Sequence, residues 1–271
     1  MIAAFDAVVL GAGPAGLATA LALRRRAPLS VLVADAGRLG RDRVGETTST
    51  NLLVALDRLG LTERFHSGAH VPCPGTASIW GRARVGYNDF VLDPMGPAWR
   101  LDRLQFERML VEAAEESGVT LRWRTRFDSV ARDGEGPRPH LLRLSSANEG
   151  TLVVRAACVV DATGPGAYLA RAMGARRRVD DRLFAAVRFG PAANGTATLQ
   201  TLIEAVPEGW WYGARTPGDR AIVMFVTDRE GIRRLRAGGP RAFDAALEAT
   251  SLVGSVASPP ATGLRRAVLP V

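Results

Sequence analysis

The sequence predicts an α/β protein in which a parallel-stranded unit is interleaved with an antiparallel β unit. Three observations predict it. A short apolar run, Ala7–Leu10, breaks into Gly11, Gly13 and Gly16 and continues as a helical pattern over Leu17–Arg25. Two further apolar runs end on an acid or a glycine turn, Ser30–Asp35 and Cys158–Gly164 (C-V-V-D-A-T-G). Beyond Gly174 the pattern changes, and Arg182–Phe189, Thr196–Val206, Trp210–Ala214 and Ala221–Thr227 alternate or run apolar like antiparallel strands.

The glycines of the first turn stand in G-x-G-x-x-G spacing, with Pro14 and Ala15 between the last two. Gly11 permits the tight turn out of the strand, Gly13 lets the backbone approach a pyrophosphate, and Gly16 lets the helix pack closely on the strand. Unpaired N–H groups at the helix start, with the positive end of its dipole, make an anion site. Asp35 lies ~20 residues beyond the turn, where a carboxylate binds the ribose hydroxyls of a dinucleotide. Strand, turn, helix, strand and acid fit one Rossmann-like βαβ unit. An ordinary turn beside a solvated aspartate is the bland alternative, and the surrounding pattern weighs against it.

The other elements follow in order. Pro28 ends the first helix. A polar, glycine-rich loop, Gly37–Glu46, precedes a helix expected over Thr48–Leu59 with Leu52, Leu53, Leu56 and Leu59 on one face, closed by Gly60. Glu46 at the mouth of that helix is either a dipole partner or part of the site. Val71–Gly75 reads as a proline-bounded turn, and Thr76–Trp80 and Tyr87–Leu92 as short strands leaving the nucleotide unit. Leu101–Glu116 is an amphipathic helix with Leu104, Met109 and Leu110 on its apolar face, Asp102 as a cap and Gly118 as its stop. Arg103 in its first turn is either a solvated arginine or a phosphate- or ribose-binding one, because acids are favoured there. Val119–Trp123 returns to the sheet, and Arg126–Ala131, Arg138–Leu144 and Thr151–Arg155 form a three-stranded meander. The strand Cys158–Gly164 should end beside the first. Pro240–Thr250 reads as a helix and Leu264–Val271 as a strand. Trp210, Trp211 and Tyr212 either pack a core, the commoner use, or wall an aromatic substrate pocket. The parallel unit is assigned 1–75 and 97–178, and the antiparallel substrate unit 76–96 and 179–271.

Composition bounds the chemistry. The 271 residues, 47% hydrophobic, suffice for one composite domain or two intimate ones. No apolar run approaches the ~20 residues of a membrane helix, and no signal peptide is visible. Cys73 and Cys158 sit in no C-x-x-C pattern, so a reducing cytoplasm is the expectation. The net charge of +8 comes from arginine alone, for there is no lysine. That removes Schiff-base and Walker-A chemistry. The arginine clusters are dispersed and lack interleaved aromatics, so nucleic-acid binding is not expected. His66 and His70 are four apart, but no third ligand or H-E-x-x-H glutamate accompanies them, so no metal site is expected.

Four motifs together, G-A-G-P-A-G with Asp35, R-V-G-E at Arg43–Glu46, L-D-R-L-Q-F-E-R-M-L at Leu101–Leu110 and V-V-D-A-T-G at Val159–Gly164, resemble the glutathione-reductase-2 class of FAD-dependent enzymes. That class includes p-hydroxybenzoate hydroxylase, the tryptophan halogenases and geranylgeranyl reductases. A narrower likeness rests on H-V-P-C-P-G-T-A-S-I-W-G, F-V-L-D-P-M-G-P-A-W-R-L-D-R and E-A-V-P-E-G-W-W-Y. It is to the flavoproteins that mature amino-acid oxidases carrying cysteine tryptophylquinone. The resemblance implies that Gly11, Gly13 and Gly16 hold the pyrophosphate and Asp35 the adenosine ribose. It implies that Arg43, Gly45 and Glu46 border the flavin, that Arg103 contacts the cofactor, and that Phe127 offers backbone near the adenine. Asp161, Ala162, Thr163 and Gly164 would close over the dinucleotide. Members of the class also carry a G-D segment that grips the cofactor from the other side. The chain reaches residue 271 without it, so a truncated gene or fragment with weakened FAD binding is an expectation. The halogenases use an essential lysine and a W-x-W-x-I-P segment, neither present here, which disfavours halogenation.

The expected activity is that of an FAD-dependent monooxygenase, with NADH or NADPH as transient donor and O2 as oxidant. It would hydroxylate an electron-rich aromatic ring, in a small molecule or in the tryptophan of a partner protein. Glu46 is the polar group named for catalysis. The alternatives are a reductase of isoprenoid-type double bonds and a truncated, non-catalytic partner-binding protein. If the glycine turn cradles a pyrophosphate, Gly13→Val abolishes dinucleotide binding measured by flavin retention; unchanged retention would overturn the assignment.

Overall fold

Each long apolar run of the sequence finds cover in one of two units. The structure is a computed structural model describing residues 2–40, 44–193, 198–239 and 241–258, and the backbone of Arg266–Pro270. In chain order the elements are β1 (Ala3–Leu10), α1 (Pro14–Arg26), β2 (Val31–Ala34), α2 (Leu52–Leu59), α3 (Thr62–His66), β3 (Val71–Cys73), β4 (Gly75–Ile79), β5 (Gly86–Asp89) and β6 (Ala98–Arg100). Then come α4 (Arg103–Glu116), β7 (Thr120–Arg122), β8 (Thr125–Arg132), β9 (His140–Ser146), β10 (Gly150–Asp161) and α5 (Tyr168–Ala172). The chain continues with β11 (Phe184–Pro191), β12 (Thr201–Val206), β13 (Gly209–Thr216), β14 (Arg220–Thr227), α6 (Arg229–Ala237), α7 (Ala242–Glu248) and β15 (Arg266–Pro270). One unit comprises Met1–Val44, Ala55–Gly68 and Arg103–Arg178; the other comprises Gly45–Val54, Ala69–Asp102 and Val179–Val271.

The first unit is built on a six-stranded sheet of order β7-β2-β1-β10-β9-β8. β1 lies between β2 and β10, parallel to both. Its last four residues are buried without alternation, as both faces of a covered parallel strand require. One face packs Val8, Leu10, Leu32 and Ala34 with Leu142, Leu144, Val154 and Leu169. α1 and α4 pack against each other, with Leu17, Ala20, Leu21, Met109, Leu110, Ala113 and Ala114 buried. Burial of each larger apolar side chain contributes about 1.5–3 kcal/mol. Arg24 ties the ends of three elements, donating from Nε to the Ser117 carbonyl at 2.6 Å and from Nη1 to the Leu29 carbonyl at 2.5 Å.

Four details of this unit differ from the sequence expectation. Thr151–Arg155 and Cys158–Asp161 are not two strands but one, β10, which is antiparallel to β9 from Gly150 to Ala156 and parallel to β1 from Val154 to Asp161. The apolar character of the whole stretch allows this, because no turn residue divides it. Leu104 points to solvent, and Phe106 takes the buried position instead, edge-on to Phe65 at 6.2 Å. α1 begins at Pro14, three residues before Leu17, because proline is well suited to a first helical position. Finally, α3 was not foreseen; Phe65 anchors it in the core.

The second unit is a seven-stranded sheet of order β15-β11-β14-β13-β12-β4-β5, antiparallel except where β12 runs parallel to β4. α6, α7 and the 3-10 turn Val253–Val256 cover one face. There Trp211 stacks on Phe225 at 4.8 Å and meets Phe243 edge-on at 5.0 Å. Two buried charges are satisfied on this side. Arg188 pairs with Asp244 at 2.6 Å, and Glu204 accepts the amides of Ser251, Leu252 and Val253 at 2.7, 2.7 and 3.1 Å.

Val71–Cys73 is a strand and not a turn, because β3 pairs antiparallel with β6. Helix α2 starts at Leu52 and not at Thr48. Thr48 donates its amide to the Trp99 carbonyl at 2.9 Å and accepts the Trp99 amide on Oγ1 at 3.2 Å, which holds it in the antiparallel ribbon. Through these bonds and the Thr47–Arg100 bridge, residues 45–54, 69–75 and 97–102 belong to the second unit, where the sequence reading had assigned them to the first. α6 carries Arg233, Arg234 and Arg236, one of the dispersed arginine clusters; its cap is Asp228, which accepts the Gly231 amide at 2.7 Å. The expectation for Thr196 and for Leu264 lies outside the described residues.

The aromatic trio divides between faces, since successive strand residues point to opposite sides. Trp211 is 1% exposed in the core, so it cannot wall a pocket together with Trp210 and Tyr212. Trp211→Ala is expected to cost about 3–5 kcal/mol in urea unfolding, and Trp210→Ala a fraction of that. Equal losses would contradict this division.

Candidate functional site

The C-terminal ends of three parallel strands meet in register: Leu10 lies opposite Ala34 on β2 and Asp161 on β10. The chain turns away from all three at once, and this edge is where open α/β sheets take ligands. Gly11 donates to the Ala34 carbonyl, and Ala162 to the Leu10 carbonyl, each at 2.8 Å. Gly11 has φ +106°, and a Cβ on it would stand 2.2 Å from the Ala162 oxygen. A Cβ on Gly16 would stand 1.9 Å from the Gly11 oxygen. Both positions therefore require glycine because backbone approaches backbone.

Gly13 is the N-cap of α1 and Pro14 its first helical residue; no side chain caps the helix and its first turn holds no acid. Its first amides therefore keep an uncompensated positive end. Asp35 stands beside it. One oxygen accepts the Ala12 amide at 2.8 Å and the other the Gly37 amide at 2.6 Å. Each carboxylate oxygen keeps a further acceptor position for a hydroxyl.

Leu10, Gly11, Asp35, Gly37, Phe127 and Thr163 are among the residues lining a cavity of ≈ 500 Å³. That volume lies within the range of small-molecule sites. Thr125, Arg126 and Tyr168 also line it, and the sequence reading had not named them. Thr125 is placed there by a bond from its amide to the Asp35 carbonyl at 2.8 Å. No spacing in the sequence signals these contacts, because they depend on β8 starting where β2 ends.

Asp161 serves the turn. Its Oδ1 accepts the Thr163 amide at 3.0 Å and the Thr163 hydroxyl at 2.5 Å, and its Oδ2 accepts the Ala170 amide at 2.9 Å. Burial opposes ionisation, but these bonds outweigh it and hold the carboxyl below its ordinary value. Gly164 follows with φ +65°. Thr163 reaches the cavity, Ala162 packs its backbone against Gly11, and Asp161 is the clasp behind them.

The remaining named residues divide. Arg103 sits in the first turn of α4, bonded from Nε to Glu107 at 3.0 Å, and does not line the cavity. Pro14 and Ala15 lie in the first turn of α1. Arg43 lies outside the described residues. Gly45 and Glu46 belong to the second unit, where Glu46 is buried and accepts the Gly45 amide at 3.0 Å. On the sheet face opposite the helices, the Tyr212 hydroxyl bonds Thr47 Oγ1 at 2.7 Å. Burial pushes the Tyr212 hydroxyl pKa up, against the opposing pull of Arg100 and of the Thr47 bond. Arg100 is itself buried, with Nη2 donating to Cys73 Sγ at 3.3 Å, the Leu199 carbonyl at 3.0 Å and Thr201 Oγ1 at 3.4 Å. His70 accepts the Asp102 amide on Nδ1 at 3.1 Å, and burial lowers its pKa. Among the described residues no three His, Cys, Asp or Glu side chains are grouped to hold a metal, and no helix is long and apolar enough to cross a membrane.

A glycine turn at a parallel-sheet edge, an uncapped helix start and a carboxylate over a cavity define a dinucleotide-binding unit. The chain belongs to the FAD binding domain family, which matches residues 4–235. It is 27% identical to LodB of Marinomonas mediterranea, assigned as an FAD-dependent oxidoreductase, over 92% of this chain and 67% of that protein. Among solved structures, it resembles the peptidyl tryptophan dihydroxylase QhpG, at 26% identity and a TM-score of 0.72, over 99% of this chain and 56% of that one. The halogenase CmlS shares the fold at 23% identity and a TM-score of 0.83, over 100% of this chain and 50% of that one. The chain thus spans between half and two thirds of the length of these relatives.

The residues present fit the adenosine end of FAD: Asp35 at the cavity wall would offer acceptors to a ribose, and the uncapped start of α1 would offer donors to a pyrophosphate. Gly16→Val is expected to abolish FAD retention, and Asp35→Ala to weaken binding by about tenfold or more in a flavin titration. Asp161 adds a pH signature. Its lowered pKa means that its contribution is fully present above the ordinary carboxylate range and is lost as pH falls through the folded value. With the intrinsic slowing of exchange by acid divided out, the protection factor of the Ala170 amide should fall on acidification, and Asp161→Asn should remove most of that dependence.

Proposed function

We propose that this chain is the cofactor-holding part of an FAD-dependent monooxygenase that hydroxylates an electron-rich aromatic ring, with a tryptophan side chain of a partner protein as substrate and NADH or NADPH as donor. The observation that carries the reading is the joint placement of Gly11, Asp35, Phe127 and Thr163 around one cavity at the sheet edge. The likeness to a peptidyl tryptophan dihydroxylase supports the choice of substrate.

When bound, FAD would supply the redox chemistry toward donor and oxygen. The chain's own residues then bind, orient and exclude water. The first turn of α1 holds the pyrophosphate, Asp35 the ribose, and the backbone at Phe127 the adenine. Trp210 and Tyr212 lie on one face of the second sheet, and Trp80 stands 6.4 Å from Trp210. Trp80 and Trp210 offer an aromatic surface to an indole, and the half-buried Tyr212, its hydroxyl bonded to Thr47, supports the sheet beneath them. Glu46 is the carboxylate proposed to hold or move a proton. Both cysteines are unpaired, as a reducing compartment allows.

Flavin absorbance after addition of FAD and removal of the excess tests the first part; a colourless protein would contradict it. A short peptide containing one tryptophan, incubated with donor and oxygen, is expected to gain the mass of oxygen. Glu46→Gln should slow that step by about 10²-fold or more, the usual contribution of a positioned acid or base, without loss of bound flavin. Unchanged turnover would remove Glu46 from the chemistry.

A further inference from the structure

The second unit ends at a sheet edge of unusual chemistry. β5 is the last strand in the order, and all four of its residues are exposed. Its inward bonds can be counted. Phe90 donates its amide to the Pro74 carbonyl at 2.7 Å, in register with the β4–β5 pairs. Because bonded and non-bonded pairs alternate in an antiparallel ladder, the amides and carbonyls of Tyr87 and Asp89 point outward. Such an edge invites another strand, and proteins usually blunt it with charge or cover.

Here the flanks are apolar and cationic. Immediately after β5, Asp93 donates its amide to the Phe90 carbonyl at 3.0 Å, closing a turn with Val91 and Leu92 at its centre. These two are 84% and 91% exposed, at positions where glycine, proline, asparagine and aspartate are preferred. A second bond, Met95 amide to Asp93 Oδ1 at 2.8 Å, holds the next turn and presents Met95 beside them. Tyr87 on β5 is 66% exposed. At the other end of the strand, the β4–β5 connection displays Arg82 and Arg84, neither of which has an ion-pair partner among the described residues. The neighbouring carboxylates are already engaged, Asp89 by Gln200 Nε2 at 2.6 Å and Asp93 by the Met95 amide.

We propose that β5 is a docking edge for an extended segment of a partner protein, acidic where it passes Arg82 and Arg84 and apolar where it passes Tyr87, Val91 and Leu92. The segment pairs with the outward amides and carbonyls of Tyr87 and Asp89 as an added strand. This rests on the reading that the substrate is carried by a protein. Trp80 lies at the same end as the arginines and touches the Trp210 surface, so a docked segment leads toward the face assigned to the indole.

The test uses a short fluorescein-labelled peptide with an acidic half of Glu and Asp and an apolar half of alternating Val and Thr, and a control with Lys in place of the acids. Anisotropy should show binding of the acidic peptide alone. Arg82→Glu with Arg84→Glu should weaken it about tenfold or more and admit the lysine peptide. Tyr87→Pro, which removes an outward amide that an edge strand can lose without unfolding, should bind about tenfold more weakly than Tyr87→Ala. Absence of binding, equal binding of both peptides, or equivalence of the two Tyr87 variants would overturn the docking edge. Dimerisation abolished by Val91→Ser with Leu92→Ser would assign the patch to a second copy of this chain and also overturn it. Binding is read without turnover, so peptide binding with no oxidation of a tryptophan in the same peptide would sink the functional reading alone.

Discussion

The close approach of three backbones at Gly11 is the constraint on which the first unit depends. Gly11 must accept the Ala162 oxygen where a side chain would stand, and Gly16 must accept the Gly11 oxygen in the same way. Only then do β1, β2 and β10 end at one level, with Leu10, Ala34 and Asp161 side by side. That common level places Asp35, Thr163 and the start of β8 around a single cavity. The glycines act first on the protein itself, and the proposed phosphate contact would use the same bare backbone.

Acids in this chain divide by what their oxygens already hold. Asp161 and Glu204 spend their acceptors on amides, which makes them parts of the scaffold. A buried carboxylate satisfied in this way stabilises a turn and is costly to remove. Asp35 also accepts two amides, but it does so at the wall of a cavity, where its remaining acceptors are open to a ligand. What separates Asp35 from the scaffold acids is the cavity beside it and not its residue type.

The second unit shows a similar division between its two sheet faces. The helix-covered face packs Trp211, Phe225 and Phe243 together, and a cavity of ≈ 320 Å³ remains beside Trp211 and Phe225. The other carries Trp210 and Tyr212, with Arg100, Cys73 and Thr47 bonded against the same sheet.

The local pattern of residues determined the βαβ unit, the meander, the amphipathic helix at Arg103–Glu116 and the glycine positions, since each follows from periodicity or from backbone sterics within a few residues. The positions of Gly11, Gly16 and Asp35 were legible for the same reason. The sequence did not reveal that β10 runs unbroken through two pairings, that Thr48 is held by Trp99 and so starts no helix, or that Val71–Cys73 pairs with Ala98–Arg100. Nor did it reveal that Trp211 is sealed away from Trp210 and Tyr212, or that Thr125 and Tyr168 join the cavity wall. Those outcomes depend on partners distant in the chain. A strand, a turn and a pocket wall are decided by which distant groups take their hydrogen bonds and cover their apolar faces, and only the tertiary structure brings those groups together.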